Sequence, residues 1–222
     1  MRKGLDDKAA DMLRQEILTG EVEPGSRLVE ARLAEKLDVS QGTIRAALKL
    51  LAREGLVVHD PFRGTSVRAL TPEDAWEIYT LRNTLEAMGA KLAADRITPD
   101  KASTLKEAFA QLVAAVKKGD WQLVIEADYN LHRVIFEMSA HKRLQEMYAI
   151  IETQTRLYIN ATGGLRTDLA KIAELHESLV EAIVNGEADH AQKIAADHNT
   201  EDGETLVNML RQMEQNQSRT SG

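Results

Sequence analysis

Residues 10–58 read ADMLRQEILTGEVEPGSRLVEARLAEKLDVSQGTIRAALKLLAREGLVV, and no other stretch of the chain leaves so few folds open. A first amphipathic helix runs into a loop punctuated by Gly20, Pro24 and Gly25. Two short amphipathic helices follow, separated only by the turn Asp38-Val39-Ser40, and the apolar run Leu56-Val57-Val58 comes directly after them. Helices this short hide their apolar stripes only by packing across one another, and the strand that follows supplies a wing. This is the order of a winged helix-turn-helix, which sets one short helix into a DNA major groove.

The local signals set the element boundaries. The first helix spans about 5–19, with Ala9, Met12, Leu13, Ile17 and Leu18 as its stripe and Gly20 as its stop. The second covers 30–38 and the third about 41–54, with Ser40 as N-cap and Gly55 as C-terminal stop. Strands at 56–59 and 65–69 flank a wing tip of Pro61, Phe62, Arg63 and Gly64. From Thr71-Pro72-Glu73, a helix start, only helical periodicity remains: about 72–95, 99–118, 120–138, 141–160, 166–185 and 187–212. Six helices on short loops predict an antiparallel bundle. The expected fold is therefore mainly α, with a winged helix-turn-helix over 1–70, an all-α sensing and dimerising domain over 71–212, and a polar, disordered tail over 213–222.

Charge divides along the same line. The net charge of −7 is unexpected for a DNA binder, but residues 1–70 hold 12 Lys and Arg against 11 Asp and Glu, and 71–222 hold 16 against 24. Within 27–68 the balance is 8 against 5, which puts positive charge where phosphates would lie. Cysteine is absent, no apolar run is long enough to span a bilayer, and Met1-Arg2-Lys3 is not followed by a signal-peptide core. A cytoplasmic protein with no membrane partner is the expectation.

On the third helix Ile44, Leu48 and Leu51 turn inward, leaving Gln41, Thr43, Arg45 and Lys49 outside. Gln41 and Arg45 are suited to base edges, and Ser40 and Thr43 to phosphate. Arg63 at the wing tip is placed to reach backbone or minor groove, and Arg32 on the second helix completes the expected DNA-contacting set.

The run Ile17-x-x-Gly20…Pro24-Gly25-Ser26-Arg27-Leu28-x-Glu30-x-x-Leu33-Ala34…Val39-Ser40…Arg45-x-Ala47-Leu48…Leu51…Glu54-Gly55-Leu56-Val57, with Arg63-Gly64-Thr65-x-Val67, resembles the GntR family of bacterial transcription regulators. Two positions depart from its pattern. Gln41 stands where Arg is usual and Ala46 where Glu is usual, which leaves Arg45 as the base reader the resemblance best supports.

Helical wheels at about 100° per residue sort the histidines of the second half. Asp128 and His132, one turn apart, share a face with Trp121, Val124, Ile125 and Ile135. His176 falls with Leu169, Ile172, Leu179, Val180 and Ile183, and His198 with Ala191, Ile194 and Ala195. His59, His141 and His190 read as bystanders. A lone inward His is usually a satisfied core residue, and an Asp–His pair is often only a hydrogen-bonded couple. Three inward His and one Asp on three helices point instead to a divalent transition metal, zinc first and nickel second, rather than calcium or magnesium. Arg82 also lies on an inward face, with Ala75, Ile78, Leu85 and Gly89. A buried guanidinium needs an anion: a ligand carboxylate, or Glu86 one turn on as an internal ion pair.

Leu81-Arg82-x-x-Leu85-Glu86, Asp128-x-x-x-His132, His176-x-x-Leu179-x-x-Ala182-Ile183-x-x-Gly186 and Ala191-x-x-x-Ala195-x-x-His198 resemble the FCD domain of the FadR-like branch of the same family. In metal-binding members the resemblance implies Asp128, His132, His176 and His198 as ligands, with a small organic acid completing the coordination and Arg82 gripping its carboxylate. It further implies a homodimeric, ligand-responsive regulator, most often a repressor, on a two-fold symmetric operator. Two other readings compete: a metal-dependent hydrolase fused to a DNA-binding module, for which no inward general base is evident, and a regulator whose metal is purely structural.

Overall fold

The computed structural model describes residues 4–162 and 169–220, which form ten helices and three short strands. The Gly163-Gly164 break and the expected start of a helix at 166 lie outside the described residues. The chain divides into two compact units, one comprising the described residues of Met1–Ala75, Glu152–Leu165 and Met209–Gly222, the other those of Trp76–Ile151 and Arg166–Asn208.

In the first unit, α1 (Leu5–Leu18), α2 (Glu30–Leu37) and α3 (Gln41–Arg53) gather around Leu13, Ile17, Ile44, Leu48 and Leu51. Asp38 takes the left-handed conformation that turns α2 into α3, and the Ser40 side chain caps α3 by accepting from the Thr43 amide. Gly55, at φ +76°, ends α3, a conformation L side chains rarely adopt. The wing is a three-stranded antiparallel sheet in the order β1-β3-β2. Its strands are β1 (Arg27–Leu28), β2 (Val57–Asp60) and β3 (Gly64–Val67). Two strands were expected; β1 is only two residues long, too short to show a period. At the tip, the Asp60 carboxylate accepts from the Phe62 and Arg63 amides.

The same unit also takes in one end of α7 (Lys142–Ala161). Leu157 joins its apolar core, Asn160 donates to the Leu18 carbonyl at 2.8 Å, and Gln154 donates to the Glu54 carbonyl at 3.3 Å. The Tyr158 hydroxyl donates to Asp74 at 2.8 Å, and Arg68 contacts the same carboxylate at 3.2 Å.

The second unit is helical: most of α4 (Pro72–Asp95), then α5 (Pro99–Lys118), α6 (Trp121–Met138), the start of α7, α8 (Leu169–Val184), α9 (Ala188–Asp197) and the beginning of α10 (Thr200–Thr220). Leu105, Leu112, Leu131, Ile135, Leu179 and Ile183 make its core. One expectation needs correction: the predicted helix at 187–212 is two helices, parted at His198 and Asn199. Both flanks have helical periodicity, so a two-residue break between them leaves no signal. The segment after Gln212, expected to be disordered, is helical as far as Thr220. Extending a helix already nucleated by packed residues costs far less than starting one.

Candidate metal centre

Four helix segments of the second unit supply the groups. Successive turns of α4 provide Arg82 and Glu86, successive turns of α6 provide Asp128 and His132, α8 provides His176, and the α9–α10 break provides His198 and Asn199. The i,i+4 spacing puts each same-helix pair on one face. Arg82, Glu86 and His132 are at most 4% exposed, while the Asp128 side chain keeps 19%, so the site is least closed at Asp128.

The structure brings the four expected metal-site residues together. His132 Nε2 lies 3.1 Å from His176 Nε2 and 3.3 Å from His198 Nε2. Asp128 Oδ1 is 2.9 Å from His176 Nε2 and 3.9 Å from His132 Nε2. His176 Nδ1 is 2.8 Å from the Ile172 carbonyl, and His198 Nδ1 is 3.1 Å from the Ala195 carbonyl. A carbonyl only accepts, so both Nδ1 atoms carry protons and both neutral rings aim an Nε2 lone pair inward. Glu86 stands 3.6 Å from His132 Nδ1, which favours the same tautomer there.

Three lone pairs and a carboxylate oxygen facing one another repel unless a cation lies among them. The three imidazoles can each offer one atom to a common ion, and the donor set, nitrogen-rich with one carboxylate, fits a divalent transition metal. Without one, burial lowers His132 and takes His198 down to about 3. Burial opposes protonation of His176 too, but the Asp128 charge and hydrogen bond prevail and raise it. Asp128, against its own burial, is held far below the usual carboxylate range by His176 and His132.

Arg82 is placed otherwise than as a free clamp. Its Nε donates to Glu86 Oε1 at 2.7 Å, while its Nη2 lies 4.0 Å from Asp128 Oδ2. The guanidinium carbon sits 5.9 Å from the Tyr79 ring and 5.7 Å from the Tyr129 ring. Glu86 also accepts from Asn199 at 2.7 Å and lies 3.3 Å from His198 Nε2. Burial would raise its pKa, but Arg82 and the neighbouring imidazoles bring it down to about 2. The Tyr79 hydroxyl is buried with no hydrogen-bond partner among the described residues. Glu86, from the sequence only an alternative partner for Arg82, is its partner here, and Asn199 carries no sequence signal because the helix break that exposes it to the site leaves the periodicity intact.

On the winged helix, Arg32, Ser40, Gln41, Arg45, Lys49 and Arg63 are exposed and Thr43 is half-buried. Ser40 and Thr43 bond each other at 2.9 Å within the α3 cap. Arg45 is held by Glu30 through bonds of 2.8 and 3.3 Å, a pairing between two helices that spacing along one segment does not predict.

The model of the gntR family of bacterial regulatory proteins matches residues 5–67, and that of the FCD domain matches residues 77–201. An uncharacterized HTH-type transcriptional regulator of Bacillus subtilis, YdhC, is 25% identical over 209 residues, covering 93% of this chain and 92% of its own. A putative L-lactate dehydrogenase operon regulatory protein of Escherichia coli is 26% identical over 218 residues, with 87% and 83% covered. The solved structure of E. coli McbR/YncC shares the fold, with a TM-score of 0.76 at 22% identity over 94% of this chain and 99% of that one. These relatives are regulators rather than enzymes, and no helix among the described residues is long and apolar enough to cross a membrane. The FCD match alone spans more than half the chain, and so the chain belongs to the GntR family of DNA-binding transcription regulators, with an N-terminal GntR helix-turn-helix and a helical FCD domain.

Proposed function

We propose that the chain is a ligand-responsive regulator of the FadR-like branch, acting in the cytoplasm as a homodimer on a two-fold symmetric operator. Residues 1–70 bind DNA through Arg32, Ser40, Gln41, Thr43, Arg45, Lys49 and Arg63, and residues 71–212 sense and dimerise. It acts as a repressor, since a bound winged helix occludes the operator it covers. Asp128, His132, His176 and His198 hold one divalent transition ion, zinc first and nickel second. The ion, when bound, offers a Lewis-acidic position to a small carboxylate, and Arg82 draws the acid's charge toward it.

The observation that carries this reading is the convergence of three imidazole Nε2 atoms and Asp128, with two of the imidazoles turned by backbone carbonyls. The E. coli relative's name, which ties it to an L-lactate dehydrogenase operon, supports a small acid as effector. Occupancy changes DNA affinity only if the acid binds the DNA-competent and DNA-released states unequally. The test is elemental mass spectrometry of the purified protein, followed by operator binding with and without small carboxylates. One ion per chain, lost together with the acid response in His176→Ala, is expected. A variant that keeps both would remove His176 from the site, and a metal whose loss unfolds the chain without any acid response would make it structural.

A further inference from the structure

The charge of the site selects its ligand. Among the described residues, the charged side chains of the buried cluster are Arg82, Glu86 and Asp128. Glu86 accepts from Arg82 and Asn199 at 2.7 Å each, so it is present as a carboxylate. Two of the imidazoles hold their proton on Nδ1 against a carbonyl, and all three enter the count as neutral rings. The cluster therefore carries one positive and two negative charges. Adding the divalent ion of the proposed function, on which this inference rests, leaves a net charge of plus one. The count is the same whether Glu86 touches the ion or stands behind the ligands.

A buried site tolerates net charge poorly, because desolvation is repaid only by a nearby partner of opposite sign. One carboxylate brings the loaded site to neutrality; a second would leave a buried, unpaired negative charge. Tyr79 and Tyr129, whose rings lie 5.9 and 5.7 Å from the Arg82 guanidinium carbon, carry uncharged hydroxyls and add no charge for a second carboxylate to meet. Asp202, partly exposed like Asp128, is not a member of the ion pairs that join Arg82 to Glu86 and Asp128, and so it stays outside the count. We propose that Glu86 makes this pocket selective for small monocarboxylates over dicarboxylates, by cancelling the Arg82 charge that would otherwise be open to a second carboxylate.

The experiment is calorimetric titration of the full-length, zinc-loaded protein with acids of equal length, propionate against malonate and butyrate against succinate, with zinc content measured before and after. The readout is the ratio of dissociation constants within each pair. In the native chain each monocarboxylate should bind at least about tenfold more tightly than its dicarboxylate, the scale of one poorly compensated charge. Glu86→Gln raises the loaded site to plus two and should shift the ratio toward the dicarboxylate by a similar factor. Arg82→Gln/Glu86→Gln restores plus one, so it should bind both acids less tightly but keep the native preference. That double variant leaves no buried charge without its partner and remains usable if the single one does not fold. A native chain that retains zinc and prefers the dicarboxylate, or binds neither acid, overturns the proposal, as does a Glu86→Gln ratio that does not move. A chain that holds no zinc overturns the proposed function itself, and the metal measurement separates that outcome from the others.

Discussion

Two Arg–Glu pairs of nearly equal length sit in the two units and do opposite things. Arg45 and Glu30 meet at 2.8 Å on the winged helix, with the side chains 60% and 32% exposed. Arg82 and Glu86 meet at 2.7 Å with 4% and 2% exposed. The first pair is surrounded by water, so exchanging Glu30 for a phosphate or a guanine edge changes little but the partner. The second has no water to replace either member, and losing one leaves the other stranded. Geometry alone does not separate a replaceable contact from a fixed one; the surrounding dielectric does.

The comparison breaks first at the buried pair. Glu86→Ala should cost about 3–5 kcal/mol in urea unfolding, because it leaves a buried guanidinium without its anion. Replacing Arg82 and Glu86 together by Met should cost clearly less than the two single losses combined, and additive losses would show that the pair is not coupled. Metal removal comes next: stripping the ion should lower the melting temperature of the native chain but not that of Asp128→Ala/His132→Ala, whose own purified form should hold no metal.

Smaller effects test the first unit. Tyr158→Phe removes the hydroxyl that donates to Asp74 and should cost about 1–1.5 kcal/mol in chemical unfolding, since the half-buried carboxylate loses one partner and keeps Arg68. Ser40→Ala removes the α3 cap and should cost about 1 kcal/mol. The smallest change in stability is expected for Glu30→Gln. Its melting temperature should match the native one, while DNA affinity and its salt dependence both rise because Arg45 is released. A marked loss of stability there would mean the exposed pair behaves like the buried one.

Much of this was legible in the sequence because helices are local objects. The Ser40 cap, the Gly55 stop and the inward faces of His132 and His176 all follow from spacing along one segment. Pairs one turn apart were legible as well: Arg82 with Glu86, and Asp128 with His132. The Glu30–Arg45 pair was not, because its partners lie on different helices and a wheel gives a direction without saying what stands opposite. Asn199 was hidden for another reason, since a two-residue break between two periodic segments leaves the periodicity intact.

The sequence by itself determined the helix-turn-helix, most of the helices and the inward faces of Arg82, His132, His176 and His198, since backbone hydrogen bonding and side-chain period act over a few residues. Only the tertiary structure decided that His132, His176 and His198 bring their Nε2 atoms together, that carbonyls of Ile172 and Ala195 set two of the tautomers, and that Glu86 rather than open space faces Arg82. Those outcomes depend on how whole helices pack, and packing is settled by the close fit of many side chains at once rather than by any one segment.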